Sequence, residues 1–283
     1  MEPESSEMLF EGFFKSISLP KLAYHWHVIV LSSLGCSATL ISSRLISPIL
    51  FSKTYNNLQR LKRLSWDIHW VSMVHCLTVI FLSFPIFYQE ELQKDKIFGY
   101  TAYAGNVYSI ACGYFLWDAI LSLYYVKEFG FGFALHGISC FSVFIFAFRP
   151  FLNYYGSVFL MYEISTPFLN MHWFMDKLGL SDTLPHKING ICLLTSFFLA
   201  RIVYGFYMSC QVYFAVMPVI SQIPTFLCIL YGTANVMLNC LNVYWFVKMI
   251  TYVIRTSESK KHTKYSSISD GHSSKSHSKV KKQ

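Results

Sequence analysis

Long apolar runs with almost no charge leave this chain few ways to fold. Runs near residues 22–41, 68–88, 107–126, 131–148, 151–171, 188–209 and 219–247 each approach or exceed the length needed to cross a bilayer. A helix needs about twenty residues for that. Only 13% of the 283 residues are charged, against about 25% in an ordinary soluble domain. Hydrocarbon offers no partner to an open sheet edge, so the runs are predicted to be helices. The fold class is therefore all-α: a multi-pass transmembrane helical bundle of six or seven helices. The count turns on the fourth and fifth runs, which only Arg149-Pro150 separates, as a tight reversal or a re-entrant pair. Pro218 and Pro224 predict a broken start to the last run. No internal repeat is visible.

Charge divides the chain into three parts. Residues 1–21 form an acidic leader that places Phe10, Phe13, Phe14 and Ile17 near one helical face, as an interfacial helix would. Residues 22–250 are the membrane domain. Residues 251–283, rich in Ser, Lys and His, are expected to be a disordered basic tail. With the N-terminus lumenal and the C-terminus cytosolic, seventeen of the 23 basic residues fall on the cytosolic side, nine of them from Lys248 onward. That asymmetry favours this orientation. The net charge of +8 then reflects topology and contact of the basic loop and tail with anionic lipid headgroups, so nucleic acid is not an expected partner. Lys279 and Lys281, five and three residues from the C-terminus, resemble the dilysine signal by which coat proteins return membrane proteins to the endoplasmic reticulum.

Polar residues inside apolar runs carry the functional information, because each ionisable group costs roughly 2.5–3.5 kcal/mol at a span centre. His75, Asp118, His136, Glu163 and Asn239 fall at similar distances from the predicted cytosolic ends of their runs, roughly 7–12 Å deep at the rise of a helix. They form a predicted polar layer, with Asn170 one face-repeat beyond Glu163. Pro167 lies four residues after Glu163, so it removes the helix bond to the Glu163 carbonyl and bends the run. Either histidine could pair with Asp118 or Glu163, or a carboxyl could stay protonated. Such pairs serve equally as locks between helices or as a site. Arg201 lies in the other half of its run and is expected to reach the lumenal headgroups or pair with carbonyls. His25 and His27 sit at the lumenal edge, and Trp66, Trp70, Trp173 and Trp245 read as interface anchors.

No metal site or cofactor is expected. His69 and His75 are six residues apart, not four, and His172 with Asp176 reads as a solvated pair. The eight cysteines stand singly, as small buried residues. Nucleotide-binding, zinc-protease and serine-hydrolase motifs are missing.

The same residues carry a family likeness. The chain reads Trp66-x5-Ser72-x2-His75, then Gly113-Tyr114-x3-Asp118, then Leu135-His136-Gly-Ile-Ser139. It continues Glu163-x-Ser165-Thr166-Pro167-Phe168-x-Asn170-x2-Trp173-Phe174, Asn189-Gly190-x10-Arg201-Ile202 and Asn239-x2-Asn242-Val243-x-Trp245. From about residue 61 to 248 this resembles the TLC domain, shared by ceramide synthases and smaller lipid-related membrane proteins. The Glu163–Trp173 block is more similar to the small TLC-domain-containing proteins. The resemblance implies a helical bundle around a lipid-accessible cavity in the endoplasmic reticulum membrane. His136 matches the second residue of the ceramide synthase His-His pair, while Leu135 stands in place of the first. The two-aspartate motif is replaced by the Glu163 block.

The leading expectation is a protein of lipid homeostasis that binds or senses a lipid, with His75, Asp118, His136, Glu163, Asn170 and Asn239 holding its polar part. The alternative is an acyl-CoA-dependent acyltransferase. There His136 is base or nucleophile, and Glu163 or Asp118 orients it. Acyl-CoA enters only under that alternative, as substrate. A second alternative is a seven-span channel, transporter or receptor.

Overall fold

The computed structural model describes residues 5–181 and 183–279, with side chains from residue 10 to 256 apart from residue 182. No strand occurs among them. The chain divides into two compact units, 1–241 and 242–283, each described by itself.

The leader is helical as α1 (Ser5–Ser16). Phe10 contacts Trp26 with ring centres 5.5 Å apart, and Phe14 lies against the core, while Phe13 stays exposed. Then follow α2 (Trp26–Leu50), α3 (Ser52–Tyr55), α4 (Arg60–Ser83, extended by a 3-10 turn to Tyr88), α5 (Glu90–Lys94), α6 (Ala102–Tyr124), α7 (Val126–Phe129) and α8 (Phe131–Ile145). After a reversal come α9 (Asn153–Leu160), a 3-10 segment Met161–Ser165 and α10 (Thr166–Lys177). Next is α11 (Leu184–Phe197), which passes through a π-helical turn, Phe198–Val203, into α12 (Tyr204–Val216). The last helix is α13 (Thr225–Lys279). Among the described residues six helices are long and apolar enough to cross a membrane: Trp26–Leu50, Arg60–Tyr88, Ala102–Tyr124, Phe131–Phe148, Leu184–Gln222 and Thr225–Thr256. Pro218 sits in a 3-10 turn (Met217–Gln222), and Pro224 immediately precedes α13, where a missing N–H costs nothing.

The run at 151–171 is not the continuous apolar span drawn from the sequence. It breaks into three short pieces whose Asn153, Ser165, Thr166 and Asn170 are all buried. It nevertheless traverses the bundle. Tyr154 meets Phe87 at the end of the α4 path, ring centres 6.2 Å apart, and Phe174 meets Trp66 near its beginning, 4.8 Å apart. The segment therefore runs antiparallel to α4, sheltered by neighbours that carry the apolar load. The Arg149-Pro150 reversal is tight: Leu152 adopts a left-handed conformation (φ 58°), and its N–H bonds the Ile97 carbonyl at 2.6 Å.

Small residues set the closest approaches. A Cβ on Gly113 of α6 would fall 2.4 Å from the Ile29 carbonyl of α2, and one on Gly137 of α8 would fall 2.9 Å from Ala119 of α6. Glycine at both positions lets backbones touch where lipid supplies no hydrophobic drive between helices. The core between them joins Ile29, Val107, Ala111, Cys112, Phe115 and Phe144.

In the second unit, α13 continues through the Ser/Lys-rich segment to Lys279. The side chain of Lys279 and all of Lys281 lie outside the described residues.

Candidate functional site

Three polar groupings occupy the interior of the first unit. The deepest is built on the broken segment. Pro167 has no N–H, and its ring excludes the carbonyl four residues back, so the chain tightens into 3-10 turns across Met161–Ser165. Arg201 fills the disturbed turn. Its Nε donates to the Tyr162 carbonyl at 3.1 Å and to Ser165 Oγ at 3.0 Å, and its Nη2 donates to Thr166 Oγ1 at 3.1 Å. That same nitrogen lies 3.6 Å from Glu163 Oε1, with both side chains nearly enclosed. The π-helical turn, one extra residue wide, delivers Arg201 to this position. Glu163 thus faces a cation from α11–α12, not the histidine that its sequence context suggests. Arg201 does reach a carbonyl, but inward, not toward the headgroups. Sequence distance hid the pair, since 38 residues separate the partners.

The second grouping joins α6 and α8. The Asp118 carboxylate rests on Gly137, so close that a Cβ there would meet Oδ2 at 3.0 Å, and His136 is the adjoining residue. The His136 ring lies 6.2 Å from that of Phe115, and both its nitrogens are 3.8 Å from Cys140 Sγ.

The third grouping links α4 to α10. Asn170, fully buried, bonds His69 Nδ1 through Oδ1 at 2.7 Å and donates from Nδ2 to Ser72 Oγ at 3.1 Å. Trp173 stacks on His69, ring centres 4.4 Å apart. Asn170 therefore faces α4 instead of extending the Glu163 site, and His69 is a polar partner that sequence reasoning passed over. Asn239 lies elsewhere, on α13, donating to Ser209 Oγ of α12 at 3.0 Å and to Asn235 Oδ1 at 3.1 Å.

Counted from the helix ends nearest the loops at 51–59, 125–130 and 178–183, Asp118 and His136 are about 7–9 Å in, while Glu163 and His75 are about 20 Å in. Those ends are not level, because α4 begins at Arg60 and α10 ends at Lys177, both several residues beyond the predicted spans. Across the bundle His75 and His136 come to one aromatic ring, that of Phe115, with centres 5.8 and 6.2 Å away.

His75 differs from all of these. Its ring stacks on Tyr114 with centres 3.7 Å apart and is 6% exposed, and its Nε2 is enclosed without a hydrogen-bond partner among the described residues. The ring also lines a groove of about 380 Å³ between α2, α4 and α6. Leu31 and Val74 on its wall are exposed, so the groove opens at the outer surface of the bundle.

Two polar clusters near the helix ends are structural. Asp67, 1% exposed, accepts from Ser43 Oγ at 2.7 Å, Tyr55 OH at 3.0 Å and Arg44 Nε at 3.2 Å, fastening α2 to α4. Burial and then the Asp67 carboxylate push the Tyr55 phenol up to about 12, so it stays a donor. At the opposite end His25 Nδ1 bonds Asn106 Oδ1 at 3.0 Å, and burial holds this imidazole below its ordinary range. No group of three metal-ligating side chains occurs among the described residues.

These features define a multi-pass helical membrane protein with a polar interior. The family model of the TLC domain matches residues 65–251, and the chain belongs to that family. It is 37% identical over 259 residues to an uncharacterized TLC domain-containing protein of Schizosaccharomyces pombe, covering 92% of this chain and 89% of that one. It is 30% identical to Topoisomerase I damage affected protein 4 of Saccharomyces cerevisiae, over 80% of this chain and 83% of that one. Human TLC domain-containing protein 4 is 28% identical over 70% of this chain and 77% of its own. No solved structure matches.

Proposed function

We propose that this protein binds a membrane lipid within its helical bundle and serves lipid homeostasis, in the endoplasmic reticulum membrane. The observation that carries the reading is the groove between α2, α4 and α6. It is open to the surface where acyl chains lie, and a buried imidazole with an unpartnered nitrogen stands in its wall. A protein that needed His75 only for packing would do better with an apolar residue there. The TLC family likeness points the same way. The loop end carrying Lys53, Arg60, Lys62, Arg63, Lys127 and Lys177 faces the cytosol and its anionic lipids, and the end carrying Lys21, Lys94, Lys96 and Arg149 faces the lumen.

An acyl transfer from acyl-CoA centred on His136 is the second reading. It is favoured by the Asp118 carboxylate resting on the adjoining Gly137. Glu163 is a weaker candidate for that chemistry, because Arg201 already engages it.

The test is extraction of the full chain with its surrounding lipid, followed by mass spectrometry of what co-purifies, against an unrelated multi-pass protein from the same membrane. Enrichment of a lipid species without consumption of added acyl-CoA supports binding. Turnover of acyl-CoA that disappears in His136→Ala supports the second reading, and a lipid profile equal to the control overturns the first.

A further inference from the structure

We propose that the α2–α4–α6 groove is a site for a neutral lipid whose polar part is a single hydroxyl or carbonyl oxygen, of sterol or single-chain breadth. This rests on the lipid-binding reading above and names the class of ligand.

Four observations select that class. First, no Lys, Arg, Asp or Glu lines the groove, so nothing there compensates a phosphate or an ammonium. Second, the hydroxyls in the lining have already committed their protons. Ser32 donates to the Ile110 carbonyl, Thr39 to that of Gly35 and Thr78 to that of Val74, each at 2.8 Å. The imidazole of His75 is the polar ring left in the lining: its Nε2 is enclosed, and no hydrogen bond engages the ring among the described residues. A neutral imidazole carries one donor and one acceptor. A hydroxyl can satisfy either, and a carbonyl oxygen can satisfy the donor.

Third, depth excludes headgroups. His75 is fifteen residues from Arg60 and thirteen from Tyr88, roughly 20 Å from either end of that helical path. The hydrocarbon core is about 30 Å thick, so this is well below the ester level of a phospholipid. An oxygen reaches such a depth only on a lipid whose body is otherwise apolar. Fourth, the volume is small. About 380 Å³ stands at the low end of the roughly 300–1,000 Å³ of small-molecule sites. It suits one ring system or chain, not a two-chain lipid with its headgroup.

The experiment reconstitutes the full chain in nanodiscs with one photoreactive probe at a time: a sterol bearing a free hydroxyl, a long-chain alcohol, the matching sterol hydrocarbon without oxygen, and phosphatidylcholine. Labelled peptides are mapped to residues 28–39 and 71–78. The hydroxyl sterol or the alcohol is expected to label both segments more strongly than phosphatidylcholine, the stronger of the two identifying the source. His75→Leu should weaken hydroxyl-probe labelling by about fivefold, the worth of one hydrogen bond, and leave the hydrocarbon probe unchanged. Gly35→Leu is the second variant. Gly35 lines the groove, and nothing lies within 4 Å of where its Cβ would stand, so the new side chain fills the site without a clash. It should abolish labelling by every probe while elution stays monodisperse. Phosphatidylcholine labelling the groove as strongly as the hydroxyl probes would overturn the assigned class and leave the lipid-binding reading standing. Absence of groove labelling by all four probes would overturn both.

Discussion

Two polar groups sit at similar depth in this bundle and are finished in opposite ways. Arg201 and Glu163 are surrounded by partners: an ion pair, the Tyr162 carbonyl and the Ser165 and Thr166 hydroxyls close around the guanidinium. His75 has an aromatic ring against its face and an enclosed nitrogen with no partner among the described residues. A buried polar group whose bonding is satisfied within the chain holds helices together. One left open beside a groove is a cost the fold carries unless something else completes it. Residues that look alike in the sequence thus divide into a lock and a site.

The sharpest way to break this contrast is Arg201→Met. It leaves the Glu163 carboxyl enclosed without its cation, and it should cost about 3–5 kcal/mol, read as a large fall in the thermal midpoint of the detergent-purified protein. Adding Glu163→Gln to the same chain should recover much of that loss. An unchanged midpoint in the single variant would mean the clamp holds nothing. The opposite sign is expected at the groove. In lipid-stripped detergent His75→Leu should be neutral or stabilising by up to about 1–3 kcal/mol, because it removes an unmet polar group. A clear destabilisation there would give His75 a structural partner and erase the contrast.

The smallest effect concerns His25, which burial keeps below the ordinary imidazole range even though Asn106 bonds it. The unfolded chain takes up this proton near pH 6.5 and the folded chain only at lower pH, so stability should decline as pH falls below that value. His25→Gln should flatten this slope between about pH 7 and pH 5. A slope identical in the variant would assign the pH dependence to other groups.

Much of the fold was legible because it depends on composition along the chain. Uncharged runs of sufficient length become helices in lipid whatever their neighbours do, and Pro218, Pro224 and Arg149-Pro150 interrupt the path where the sequence places them. The polar residues Asp118, His136 and Glu163 were also visible, because charge in an apolar run is conspicuous. Their partners were not. Depth along separate helices follows from run boundaries only if the helices stop there, and α4 and α10 extend past those boundaries. His69 gives no sign in the sequence of its bond to Asn170, 101 positions away.

The run at 151–171 shows the limit most clearly. By itself it reads as a span with an unexplained acid. In the folded chain it is three short helical pieces that cross the interior on borrowed shelter.

By itself, then, the sequence determined that the chain lives in a bilayer as helices and which of them carry polar atoms, because transfer from water to hydrocarbon acts on each residue separately. Tertiary structure alone decided that Arg201 answers Glu163 and that His75 goes unanswered, because a hydrogen bond or ion pair requires two groups within a few ångströms, and that proximity is set by how separate helices pack.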